Sequence, residues 1–141
     1  TAIFLKPYTS ITDSTYTVTS AMSGTTFGLN AAGGIVVTLP TAAAGLHYKF
    51  IVGTTFTTAG QINTAATDEL YTGFAMIFDP ATATDMNTFI PDVSDDDTID
   101  LGTAAQGWLI GGVIDLVGTS TTRWNVAAML HGDGSLATPF E

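Results

Sequence analysis

Leu46-His47-Tyr48-Lys49-Phe50-Ile51-Val52 is the stretch from which the fold is read. Its apolar residues Leu46, Tyr48, Phe50 and Val52 fall on every second position, and His47 and Lys49 fall between them. Successive side chains of an extended strand point to opposite faces, so this spacing predicts a half-buried β-strand. Trp124, Val126, Ala128 and Leu130 repeat the pattern, as do Tyr16 and Val18 among threonines. Other short runs are apolar throughout: Ile35-Val36-Val37, Phe74-Ala75-Met76-Ile77-Phe78, and Trp108-Leu109-Ile110 continuing to Val113-Ile114. Bounded by glycine and proline, they read as strands covered on both sides, with a second sheet or a second subunit as the cover.

Working outward, turn signals recur about every ten residues, at Gly33-Gly34, Pro40, Gly53, Asp79-Pro80, Gly102, Gly118 and Gly132-Asp133-Gly134. Threonine supplies 26 of the 141 residues, and its branched Cβ favours a pleated surface over a helix. Residues 41–44 and 81–87 offer at most single helical turns, with no amphipathic stripe. The expectation is one all-β domain over residues 12–141, a β-sandwich or barrel of jelly-roll-like type. An extended N-terminal arm, residues 1–11, precedes it, because Pro7 blocks a helix and fits poorly in a central strand. Leu39, Tyr48, Phe50, Phe74, Ile77, Trp108, Ile110, Val126 and Leu130 form the expected core.

Charge narrows the function. Thirteen acids face only three fixed cations, Lys6, Lys49 and Arg123, giving a net charge of −10. Displacing counterions from phosphate requires clustered cations, so nucleic acid is not an expected partner, and neither is an anionic membrane. No apolar run is long enough for a transmembrane helix. The chain has no cysteine, which excludes disulfides, thiolate metal sites and a cysteine nucleophile.

No catalytic constellation is visible. A Gly-x-Ser-x-Gly elbow is missing, and His47 and His131 lie in strand-like surroundings. Neither Gly33-Gly34 nor Gly111-Gly112 carries the fingerprint of a phosphate cradle. Trp108 and Trp124 are candidates for a sugar-stacking platform, but each sits inside an apolar strand and is better read as core. The one concentrated charge feature is Asp92, Asp95, Asp96, Asp97 and Asp100. Asp92, Ser94 and Asp96 have the alternating spacing of calcium ligands, with Asp95 and Asp97 beside them. The EF-hand pattern nevertheless fails at Asp97, where glycine is needed, and at Thr103, where glutamate is needed. The expectation is a solvated loop, no metal, no cofactor and no enzymatic activity.

Several weak motifs follow one another in a recognisable order. A strand ends in Thr38-Leu39-Pro40, a small Ala/Gly turn follows, and Tyr48-Lys49-Phe50 comes next. After them come Gln61-Ile62-Asn63-Thr64, Asp97-Thr98-Ile99-Asp100-Leu101, Gly107-Trp108-Leu109-Ile110-Gly111-Gly112, Trp124-Asn125-Val126 and Gly134-Ser135-Leu136-Ala137-Thr138-Pro139-Phe140. In this order the chain, from about Gly33 onward, resembles small structural proteins of tailed bacteriophages of the head decoration, or cement, type. The resemblance implies a virion protein on the outer surface of the capsid, with the major capsid protein and itself, as a homotrimer, for partners. Ile3, Phe4, Leu5 and Pro7 of the arm are then the expected capsid contacts, since exposed apolar residues near a terminus need a cover. The alternative is a host-recognition module of a tail tip or head fibre that binds carbohydrate; a bacterial fibre or surface-layer subunit is a third reading.

Overall fold

A computed structural model describes residues 5–82 and 84–141. Eleven strands account for the regular structure, and no α-helix occurs among the described residues. β1 (Tyr8–Ile11), β3 (Thr26–Leu29), β5 (His47–Val52), β7 (Leu70–Phe78), β8 (Met86–Phe89), β10 (Leu109–Ser120) and β11 (Arg123–His131) form a seven-stranded sheet. Its order is β1-β3-β5-β10-β11-β7-β8. β2 (Thr15–Thr17), β4 (Val36–Thr38), β6 (Gly60–Asn63) and β9 (Thr98–Leu101) form a four-stranded sheet in that order. The two pack as a sandwich around one core.

The first six strands alternate between the sheets, and their neighbours within each sheet run parallel. This part of the chain therefore winds as a coil. Tyr8 lies beside Thr26 and Thr26 beside Lys49, so successive turns are offset by 18 and 23 residues. The β7–β11 pair is parallel too, while β10 runs antiparallel to both β5 and β11. A jelly roll is built from antiparallel Greek keys, and this pairing does not follow it. Neither sheet closes into a barrel.

Alternation places the core largely as expected. Tyr48, Phe50 and Val52 of β5 and Trp124, Val126, Ala128 and Leu130 of β11 are all buried, as are Leu39 and Ile77. Three expected core residues are not. Phe74 stands three positions from Ile77 in one strand, and an odd separation sends the two to opposite faces. Ile110 is exposed because the ladder shifts register between Leu109 and Val113, where Gly111 takes a φ of 105°. Trp108 is half-buried against the edge of the core. Residues 41–44 and 81–82 form turns and bends; the short 3-10 turns are at Ser20–Met22 and Ala104–Gln106 instead.

Two further segments join the sandwich. Residues 8–11, read as part of the arm, are β1, and Ile11 is buried. Residues 132–139 are irregular, and the chain then ends against β9: Phe140 bridges Ile99, and Asp100 N–H donates to the Pro139 carbonyl.

Buried polar bonds tie the layers. Tyr71 Oη on β7 donates to the Ile62 carbonyl on β6 at 3.0 Å. Glu69, buried just before β7, accepts from Ala42 N–H at 3.0 Å and from Trp124 Nε1 at 3.4 Å through one oxygen. Replacing Glu69 with alanine leaves two buried donors unpaired, each costing about 1–3 kcal/mol. Glu69→Ala should therefore lower unfolding stability in urea by about 2–5 kcal/mol, and Glu69→Gln, which keeps an acceptor oxygen, by clearly less.

Candidate interaction surface

The outward faces of the two sheets differ in kind. Strand register puts Thr15, Thr17, Thr38, Gln61, Asn63, Thr98 and Asp100 outward on the four-stranded sheet, with Val36 as the one apolar exception. This face is polar in composition; Thr15 and Thr17 are exposed and the others half-buried, with Oδ1 of Asn63 and of Asp100 shielded from water. On the seven-stranded sheet the outward row Met76, Met129, Val113 and Ile51 crosses four adjacent strands. Phe74, Ala127 and Phe78 flank it. Met129 is 56% exposed, and Phe74, Met76, Phe78, Val113 and Ile51 are half-exposed. A depression of about 460 Å³ lies in this face, lined by Phe74, Phe78, Val113, Asp115, Met129 and His131 among others. A contiguous apolar patch of this kind marks a surface that another molecule covers.

The same sheet is nearly free of acids. Of thirteen acidic residues only Asp115 lies in its seven strands, whereas Lys49, Arg123, His47 and His131 all do. Lys6 borders it, lining a second depression with His47, Lys49 and Asp115. His47 Nε2 meets Asp115 Oδ1 at 2.7 Å, an exposed pair of small energetic weight. Among the described residues, none of Lys6, Lys49 and Arg123 makes a salt bridge. His131 Nδ1 lies 3.2 Å from the Ile110 carbonyl. His47 is exposed, as its place between the apolar positions of its strand predicts. The Phe74–Phe78 run, expected to be covered on both sides, has the core on one side and this half-exposed face on the other.

In the acidic loop between β8 and β9, Asp92 and Asp96 bond the loop's own backbone. Asp92 Oδ1 accepts from Ser94 N–H at 2.9 Å and from its hydroxyl at 2.6 Å, which holds the Asp92 carboxyl below its ordinary pKa. Asp96 Oδ2 accepts from Asp92 N–H at 2.7 Å. Asp95 is exposed and Asp97 half-buried. Among the described residues no three His, Asp or Glu side chains converge as metal ligands. Two apolar side chains stand exposed in this loop, Ile90 at 67% and Val93 at 52%.

Of the expected capsid contacts, Leu5 is 85% exposed and Pro7 is exposed, its carbonyl accepting from Thr26 N–H. Ile3 and Phe4 lie outside the described residues. Trp124 is fully buried, so it forms no sugar platform with Trp108. No helix among the described residues is long and apolar enough to cross a membrane. Comparison of the chain with family models, with characterised proteins and with solved structures finds no match.

One acid is set apart by its surroundings. Partial burial, together with the neighbouring Glu141 carboxylate, pushes Asp100 up from 3.8 to about 6. A raised pKa means the folded state holds this proton more tightly than the unfolded chain. The stabilisation is complete below the unfolded value of 3.8 and is lost as pH rises through about 6. The melting temperature should accordingly rise when pH falls from 7.5 to 5, and Asp100→Asn should show a smaller rise.

Proposed function

We propose that this protein is a non-enzymatic structural protein of a tailed-bacteriophage virion, a decoration protein that binds the outer surface of the head and stabilises the shell. The observation that carries the reading is the contrast between the two outward faces. A sandwich that lines one outer face with threonine, asparagine and glutamine has the means to line the other with polar side chains too. Leaving phenylalanine and methionine outward there suits a protein whose surface is covered on assembly. The scarcity of cations fits a protein outside a DNA-filled shell, with no need to bind its contents. The order of weak motifs from Gly33 onward supports the same class.

In this reading the shell's major capsid protein meets the arm. β1 begins at Tyr8, so Leu5 lies outside the sheet. Burying Ile3, Phe4 and Leu5 contributes roughly 4–8 kcal/mol gross, part of which is lost in ordering the arm. Copy number in purified particles tests the function: decoration requires a number comparable with that of the major capsid protein, whereas a tail-tip or head-fibre module is present in a handful of copies. Deleting residues 1–6 should leave the circular dichroism spectrum and thermal unfolding unchanged and weaken attachment to heads at least tenfold. Full occupancy by the truncated protein at the wild-type concentration would remove the arm as the anchor.

A further inference from the structure

The apolar face and the acidic loop are complementary. The face offers Met76, Met129, Val113 and Phe74, with Lys49, across the ladder from Asp115, and Arg123 in the same sheet, neither in a salt bridge among the described residues. The loop offers two exposed apolar side chains, Ile90 and Val93, set among Asp92, Asp95 and Asp96. The loop cannot reach Lys49 of its own chain. It leaves β8, an edge strand, and passes the start of β7, where the Asp96 carbonyl accepts from Tyr71 N–H, on its way to β9. Lys49 lies on β5, four strands from that edge, whereas Arg123 stands beside Leu70 at the same end of β7 as the loop.

We infer that the outward face of the seven-stranded sheet docks a second copy of this chain head to tail, receiving the loop 90–97 of its neighbour. Ile90 and Val93 then cover the Met129 region, and the loop carboxylates approach Lys49. Two chains of net charge −10 repel at long range. With a Debye length of about 8 Å at physiological ionic strength, however, charges in contact outweigh those across the molecule. Each sheet holds a single acid in its strands, Asp115 in this one and Asp100 in the other, but only this sheet also holds fixed cations, Lys49 and Arg123. A face-to-face dimer would instead bring Lys49 and Arg123 of both copies together against only Asp115, and would leave Ile90 and Val93 in water. The head-to-tail contact is heterologous, so it builds a closed ring or an open filament according to the rotation between copies. It leaves the arm free, and the purified chain alone suffices to test it, whatever particle the protein belongs to.

Sedimentation of the purified full chain at about 100 µM, a range in which weak specific contacts register, should give species heavier than the 14.6 kDa monomer. Met129→Glu blocks the face, and Val93→Lys combined with Asp95→Lys blocks the loop. All three positions are exposed, and unchanged thermal unfolding confirms that the variants fold. Each variant alone should be monomeric. Mixed in equal amounts they retain one good face and one good loop, and should form a 1:1 heterodimer at least tenfold tighter than either self-association. Lys49→Glu, on the same face but away from Met129, should weaken wild-type association at least tenfold. A monomeric wild type would overturn the inference and leave the face to a foreign acidic partner. A loop variant that associates as wild type does, or a mixture that stays monomeric, would overturn it equally.

Discussion

Two sheets of unequal width must bury their inner faces against each other, and the rest of the molecule follows from that constraint. The core row Tyr16, Val37, Ile62 and Ile99 of the small sheet lies under Tyr48, Phe50, Tyr71 and Trp124 of the large one. Aromatic rings fill the gap, with Phe27 stacked on Phe50 at 5.2 Å and Tyr48 tilted against Trp124 at 5.9 Å. Where polar groups are drawn into this space they are bonded across it. Tyr71 reaches the small sheet, and Glu69 holds both the Trp124 indole and the backbone of the turn after Pro40. Burial raises the Tyr71 hydroxyl well above its ordinary pKa, with Asp97 and Glu69 adding to the effect, so it remains a donor.

Close packing also explains where glycine is required. Gly73 lies in the middle of β7 with a φ of 108°, and a Cβ there would collide with the Val126 carbonyl of β11. The parallel β7–β11 ladder runs without interruption through this point, from Arg123 beside Leu70 to His131 beside Phe78. That ladder sets Phe74, Met76 and Phe78 side by side with Ala127, Met129 and His131 on the outside, and so creates the apolar face. The face is thus a consequence of register, while its lack of acids is a property of composition in those strands.

Charge is distributed as unevenly as apolar surface. Most of the acids gather in connections, where Asp92 and Asp96 bond the loop's own backbone and the buried Glu69 and Asp79 accept from protein donors. The three cations stand on or beside one sheet, with no salt bridge to those acids among the described residues. Surface ion pairs contribute little to folding, so the separation costs the fold little and leaves both signs available for contacts between molecules.

The sequence by itself determined the class of fold, the individual strands and most of the core, because alternation with period two is a local property of the chain. It sufficed for β5 and β11, whose four-residue apolar rows are buried or nearly so. It misplaced Phe74 and Ile110 because a run apolar on both faces carries no alternation, and a bulge at Gly111 reverses the count. The coil of parallel strands was illegible for another reason: offsets of 18 and 23 residues leave no repeat, and parallel partners are chosen by packing between segments distant in the chain. The two halves of the surface were likewise present as separate patterns, an apolar run at residues 74–78 and an acidic loop at 92–97. Only the tertiary structure decided that Lys49 and Arg123 share a sheet with the first, and that Lys49 lies four strands from the edge the second leaves, because that depends on strand order across the sheet, which no local pattern encodes.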